Sequence, residues 1–230
     1  MISRLMFLKT VRVPRFVLIA ASLAIALAYV GVAGWGYGSL AKMLADPARA
    51  GVCAALVALA AATPLCGCHT GPGRRSDGGN DWIFPVLLLA GVSMGWVSGW
   101  TDRHHVFVVG GESVRYVGLG LFAIGAALRM AAMIAMGPRF TVWVAIQEDH
   151  RLETTGLYRF IRHPSYTGAI LTLLGWALTF RSIPGLLLAA SAVPLLASRA
   201  AAEERLLTAE FAAEYTAYRS RSWRLLPWVY

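Results

Sequence analysis

Apolar residues run in long blocks along this chain, broken by short polar stretches dense in arginine, glycine and proline. Four blocks, residues 16–38, 48–65, 82–100 and 114–136, are long enough, or nearly so, to cross about 30 Å of hydrocarbon as helices. Two more, residues 166–180 and 183–200, are separated only by Arg181-Ser182, with Pro184 just past the break. That pair predicts a tight helical hairpin turning back in the far leaflet. The pattern as a whole predicts an all-α polytopic integral membrane protein of six transmembrane helices, with five as the nearest alternative. Past the hairpin, Arg199, Glu203, Leu207, Phe211 and Tyr218 recur at helical spacing. Residues 200–218 thus read as an amphipathic cytoplasmic helix continuing out of the last span. Gly91, Gly95 and Gly99, four apart in the third block, predict a smooth face for close helix packing.

Composition supports the membrane reading, since 57% of the 230 residues are hydrophobic and only 14% are charged. The lysines and arginines also have a direction. Fifteen flank one side: Arg4, Lys9, Arg12 and Arg15, then Arg74 and Arg75, then Arg139, Arg151, Arg159 and Arg162, and five from Arg199 onward. The other side carries Lys42, Arg49, Arg103, Arg115 and Arg181, while Arg129 falls inside a span. Basic residues concentrate on cytoplasmic flanks, so both termini and the segment around residue 163 are expected in the cytoplasm. The formal net charge of +9 is then explained by basic loops lying against anionic membrane lipids, and nucleic acid is not an expected partner. The first apolar run is too long for a secretory signal and reads as an uncleaved span in an inner, cytoplasmic membrane. Cys53, Cys66 and Cys68 are too few for a disulfide framework. Cys66, Cys68 and His69 lack a second ligand cluster, so no metal site is expected.

The composition changes at Gly137, which divides the chain into an N-terminal region of four spans (1–136) and a functional region (137–230). The second region contains the heptad Arg162-His163-Pro164-Ser165-Tyr166-Thr167-Gly168. Pro164 disfavours helix at His163 and suits a first helical turn, which places His163 at or near an N-cap. Free backbone N–H groups and the helix dipole there favour an anion, and Arg162 adds positive charge. The same two residues also suit simple anchoring at the lipid interface, and both readings stay open. Arg199 and Glu203 share a helix face, while Glu204 has no partner nearby in sequence, as expected of an acid kept for function at a membrane edge. A cytoplasm-facing pocket follows, walled by Tyr158 and Tyr166.

These residues resemble a known family. His150-Arg151-Leu152-Glu153-Thr154-Thr155-Gly156-Leu157-Tyr158, the heptad, and Glu203-Glu204-Arg205-Leu206-Leu207 with Phe211, Tyr215 and Tyr218 occur in the order and spacing of the isoprenylcysteine carboxyl methyltransferase family of integral membrane enzymes. The resemblance covers residues 137–227. It implies S-adenosylmethionine as methyl donor, with His150, Leu152, Tyr158, His163, Pro164, Ser165, Tyr166 and Glu203 as cofactor contacts. Arg199 matches the arginine that holds the acceptor in that family, making it the expected catalytic and substrate-binding residue. Three positions depart from the pattern. Glu153 replaces a small apolar residue, Ala212 follows Phe211 where glycine is common, and Trp143 stands where some members place a polar contact.

The function so implied is methyl transfer to the carboxylate of an isoprenoid-cysteine-like or other lipophilic acceptor, a small molecule or a lipidated chain. Alternatives are a phospholipid N-methyltransferase or small-thiol S-methyltransferase, an NADPH-dependent membrane reductase, which shares a similar Arg-His-Pro segment, and a non-catalytic membrane protein. The reductases' Asp, Cys and Lys-Tyr-Gly run is missing between residues 203 and 218.

Overall fold

Each apolar block is helical in the computed structural model, which describes residues 14–66, 75–76, 82–140, 145–146 and 152–227. The helices are α1 (Arg15–Tyr37), α2 (Leu40–Leu44), α3 (Pro47–Ala62), α4 (Ile83–His104), α5 (Ser113–Met136), α6 (Pro164–Thr179) and α7 (Ile183–Arg219). A two-residue antiparallel pairing joins β1 (Arg75–Ser76) to β2 (Ala145–Ile146). Among the described residues, five helices are long and apolar enough to cross a membrane: α1, α3 with its 3₁₀ extension to Cys66, α4, α5 and α7. The sixth expected span, α6, has 16 residues, which is about 24 Å and short of a full crossing. Most of the Gly67–Asp81 loop, with Cys68 and His69, lies outside the described residues; among those described, no cluster of metal-ligating side chains occurs.

The hairpin forms where the sequence breaks. Ser182 caps α7 by accepting from the Gly185 N–H, and Pro184 sits in the first turn, where its missing N–H costs nothing. Even the part of α7 before its break at Ala212 is about 43 Å long at 1.5 Å per residue, more than the hydrocarbon needs.

Glycines set how closely the helices approach. On the α5–α6 interface Gly125 faces the Gly168 carbonyl and Gly118 faces that of Gly175, so a side chain at any of the four would strike backbone. Both pairs are seven apart, two helical turns, and bring the two backbones into contact. The expected ladder on α4 is used in part: Gly99 abuts the Ala33 backbone and Gly95 the Tyr29 ring, whereas Gly91 faces open space. Gly36 of α1 answers from the other side, against the Trp96 backbone. The core between these interfaces is filled by Val30, Met43, Val52, Met94, Phe122, Trp176 and Phe180.

One end of the bundle is tied by buried charge. Asp102, 1% exposed, accepts from Arg49 at 2.6 Å and Arg115 at 2.8 Å, and Arg181 Nε lies 3.5 Å from its other oxygen. Arg115 also bonds Glu112, and Thr101 donates to Ser182. These contacts join the starts of α3 and α5, the end of α4 and the α6–α7 turn. Removing one member of such a cluster leaves the others buried and uncompensated, which is why ion pairs of this kind lock a register more than they add net stability.

The one break in α7 falls at Ala212, with φ 42° and ψ −111°, a backbone conformation that an L side chain rarely adopts. It lies at the position where glycine was expected from the family pattern, and an alanine there bears the strain that glycine would not. Ala212→Gly should therefore raise the thermal unfolding midpoint of the detergent-purified protein, by the equivalent of about 1 kcal/mol. A lowered midpoint would mean that residue 212 is helical, where glycine is the poorer residue.

Candidate active site

The loop before α6 is held by the C-terminal segment. Arg162 N–H donates to the Trp223 carbonyl at 2.7 Å, His163 N–H to Arg224 at 3.1 Å, and Trp223 N–H back to Phe160 at 2.9 Å. Thr167 Oγ1 adds a bond to the Leu225 carbonyl at 2.6 Å. His163 occupies the N-cap position with φ −124° and ψ 59°, non-helical as Pro164 requires, and its carbonyl accepts from the Tyr166 and Thr167 N–H groups. The expected N-cap is thus present.

The His163 side chain is 7% exposed and sits between two carboxylates from adjacent residues of α7. Nδ1 is 3.3 Å from Glu203 and Nε2 is 3.5 Å from Glu204. The Tyr166 ring stacks on the imidazole, 5.5 Å between centroids. Burial alone would lower the imidazole's pKa, but the two carboxylates overcome that and hold it above its ordinary value.

The two acids serve different neighbours. Glu204, 4% exposed, is bound by Arg162 at 2.8 Å and by Arg224 at 2.7 Å. Arg162 continues to the carbonyls of Ser222 and Arg219. Glu204 is therefore fully partnered, in contrast to its expected isolation, and Arg162 is committed to it rather than to an anion seat at the N-cap. Glu203 instead faces the cavity, where it accepts from the Tyr166 hydroxyl, and that oxygen in turn accepts from Arg199 Nε at 3.2 Å. Arg199 and Glu203 are thus linked through a tyrosine from α6.

These groups open on a cavity of about 460 Å³, within the usual range for small-molecule sites. Of the expected site residues, Leu152, Tyr158, His163, Pro164, Ser165, Tyr166, Arg199 and Glu203 all line it. His150 and Trp143 lie outside the described residues. The lining also includes an apolar set: Leu59 of α3, Phe84, Leu87 and Leu88 of α4, Leu173 of α6 and Leu196 of α7. Further polar residues that were not anticipated as lining groups are Arg129, Arg139, Thr172, Tyr215 and Tyr218. Arg129 reaches Ser165 Oγ at 3.1 Å, and its position as a lone arginine within an apolar span was the signal for it. Arg139 pairs with Glu153 at 2.9 Å, so the glutamate that departs from the family pattern is held by a cavity-wall arginine.

The tyrosines of the cavity lining are satisfied unequally. Tyr158 donates to the Ala132 carbonyl at 3.2 Å and Tyr218 to the Tyr158 carbonyl at 2.6 Å. Burial pushes the Tyr158 phenol well above its ordinary pKa, which keeps it a donor. The Tyr215 hydroxyl, on a side chain 1% exposed, has no hydrogen-bond partner among the described residues.

A model of the isoprenylcysteine carboxyl methyltransferase (ICMT) family matches residues 118–209. The protein-S-isoprenylcysteine O-methyltransferase of Schizosaccharomyces pombe is 33% identical over 106 residues, 45% of each chain. Protein-S-isoprenylcysteine O-methyltransferase B of Arabidopsis thaliana is 32% identical over 115 residues, 49% of this chain and 58% of that one. The chain spans about half the length of these curated relatives. The solved structure of the eukaryotic intramembrane Ras methyltransferase ICMT superposes with a TM-score of 0.58 at 18% identity, covering 94% of this chain and 81% of that one, a likeness of fold. The stretch that resembles the isoprenylcysteine carboxyl methyltransferase family, residues 118–209, carries α6, the His163 N-cap and the Arg199–Glu203 pair.

Proposed function

We propose that this protein transfers a methyl group from S-adenosylmethionine to the carboxylate of a lipophilic acceptor, of the isoprenylated-cysteine kind named in its relatives. The observation that carries this reading is the cavity itself. Residues from three separate stretches, Leu152 and Tyr158, His163 to Tyr166, and Arg199 with Glu203, line it together with leucines and a phenylalanine from four helices. A polar cofactor and an apolar chain would meet within it.

The donor set suits the cofactor. Glu203 offers a carboxylate for hydroxyl or ammonium groups, Tyr158 and Tyr166 offer ring faces, and the His163 imidazole, beside Glu203, lines the same cavity. When bound, S-adenosylmethionine supplies an electrophilic methyl on a positively charged sulfur. A carboxylate acceptor needs no general base, so the protein has to orient it and keep water out. Arg199, 7% exposed on the cavity wall, would orient that carboxylate through charge-assisted hydrogen bonds, while Tyr166 ties its guanidinium to Glu203. The organisation proposed is a methyltransferase region at residues 137–230 joined to four N-terminal spans, of which α3 and α4 lend apolar lining residues. The count of basic residues supports a cytoplasmic cavity and termini.

Calorimetric titration of purified protein with S-adenosylhomocysteine and, separately, with NADPH tests the class. Binding of the first alone is expected, and binding of NADPH alone would transfer the reading to a reductase. Arg199→Ala should retain S-adenosylhomocysteine binding yet lose about 100-fold in transfer to an isoprenylcysteine analogue; unchanged transfer would remove the carboxylate acceptor from the account. The raised His163 pKa makes a second prediction. Its stabilisation is complete below the unfolded value of about 6.5 and is lost as pH rises through the higher folded value. Thermal unfolding should therefore shift to lower temperature with rising pH above neutrality, and His163→Gln should flatten that slope. A variant slope equal to that of wild type would assign the titration elsewhere.

A further inference from the structure

We propose that the Tyr215 hydroxyl is a cofactor contact, donating a hydrogen bond to an acceptor atom of the S-adenosyl ligand. The inference rests on the cofactor reading above and adds a residue to it. Four tyrosines line the cavity. Three have their hydroxyls engaged within the protein: Tyr158 on Ala132, Tyr218 on Tyr158, and Tyr166 between Arg199 and Glu203. Tyr215 alone, 1% exposed, has a hydroxyl with no partner among the described residues.

A buried hydroxyl left without a partner is costly, and phenylalanine would fill the same space without that cost. The ring is not loosely placed. It packs edge-on against Tyr218 at 5.9 Å between centroids, on the arm of α7 that follows the strained break at Ala212. That arm leads into Ser222 and Arg224, whose carbonyls hold Arg162 and His163 in the cavity lining. The chain thus breaks α7 at Ala212 and fixes, three residues on, an unsatisfied donor in the lining of the cavity. An acceptor on the bound cofactor would complete it, whereas an isoprenoid chain would not.

Tyr215→Phe separates this role from a structural one, with Tyr218→Phe as the internal control. Without ligand, Tyr215→Phe should unfold at or above the wild-type temperature, because no protein hydrogen bond is lost, while Tyr218→Phe should unfold lower. Titrated with S-adenosylhomocysteine, Tyr215→Phe should bind about five- to tenfold more weakly than wild type. Wild-type affinity in Tyr215→Phe, with wild-type protein binding normally, would overturn the Tyr215 contact and leave the cofactor reading standing. A ligand-free destabilisation equal to that of Tyr218→Phe would also overturn it, by showing a structural partner for the hydroxyl. Failure of the wild type itself to bind S-adenosylhomocysteine would sink the cofactor reading and this contact together.

Discussion

One imidazole caught between two neighbouring carboxylates organises the C-terminal half of this protein. Adjacent residues of a helix point about 100° apart, so Glu203 and Glu204 cannot face the same way. His163 lies in the angle between them, with one ring nitrogen toward each. The arrangement needs the N-cap of α6 to meet α7 at one level, and everything around it enforces that level. Pro164 holds His163 outside the helix, Tyr166 stacks on its ring, and Trp223 and Arg224 grip its backbone and that of Arg162. From this point the acids diverge. Glu204 turns to Arg162 and Arg224 and fastens the C-terminal segment, and Glu203 turns to the cavity and, through Tyr166, to Arg199.

The rest of the bundle keeps that meeting point in register. Glycines on α5 and α6 bring the two helices to backbone contact at two levels, so neither can slide without a clash. At the far end the Asp102 cluster joins four elements, including the α6–α7 turn. The hairpin is thus pinned by charge at its turn and by His163 and Glu204 at its open end, and the cavity occupies the space between the hairpin and the apolar faces of α3, α4 and α5.

Much of this was legible along the chain because it depends on local rules. Apolar run length marked the spans, Arg181-Ser182 with Pro184 marked the turn, and Pro164 placed His163 at an N-cap. Helical spacing put Arg199 and Glu203 on one face. The illegible parts depend on partners far away in sequence. Glu204 read as isolated because Arg162 and Arg224 reach it only after the chain folds, 42 and 20 positions away. The leucines of α3 and α4 looked like any lipid-facing residues, since periodicity reports a face but not what it meets. The matched seven-residue spacings of Gly118–Gly125 and Gly168–Gly175 acquire meaning only once α5 and α6 are known to touch. Ala212 carried a trace in advance, standing where the family pattern favours glycine, and its positive φ supplies the reason.

We propose that the adjacent acids divide their roles, Glu204 holding the fold and Glu203 serving the ligand. The most direct test compares Glu203→Gln and Glu204→Gln in two readouts, thermal unfolding without ligand and affinity for S-adenosylhomocysteine. The account predicts a crossed result: Glu204→Gln shows the larger loss of unfolding temperature, and Glu203→Gln shows the larger loss of affinity per degree of stability lost. Two variants that fall together in both readouts would contradict it, leaving the pair as a single structural unit around His163.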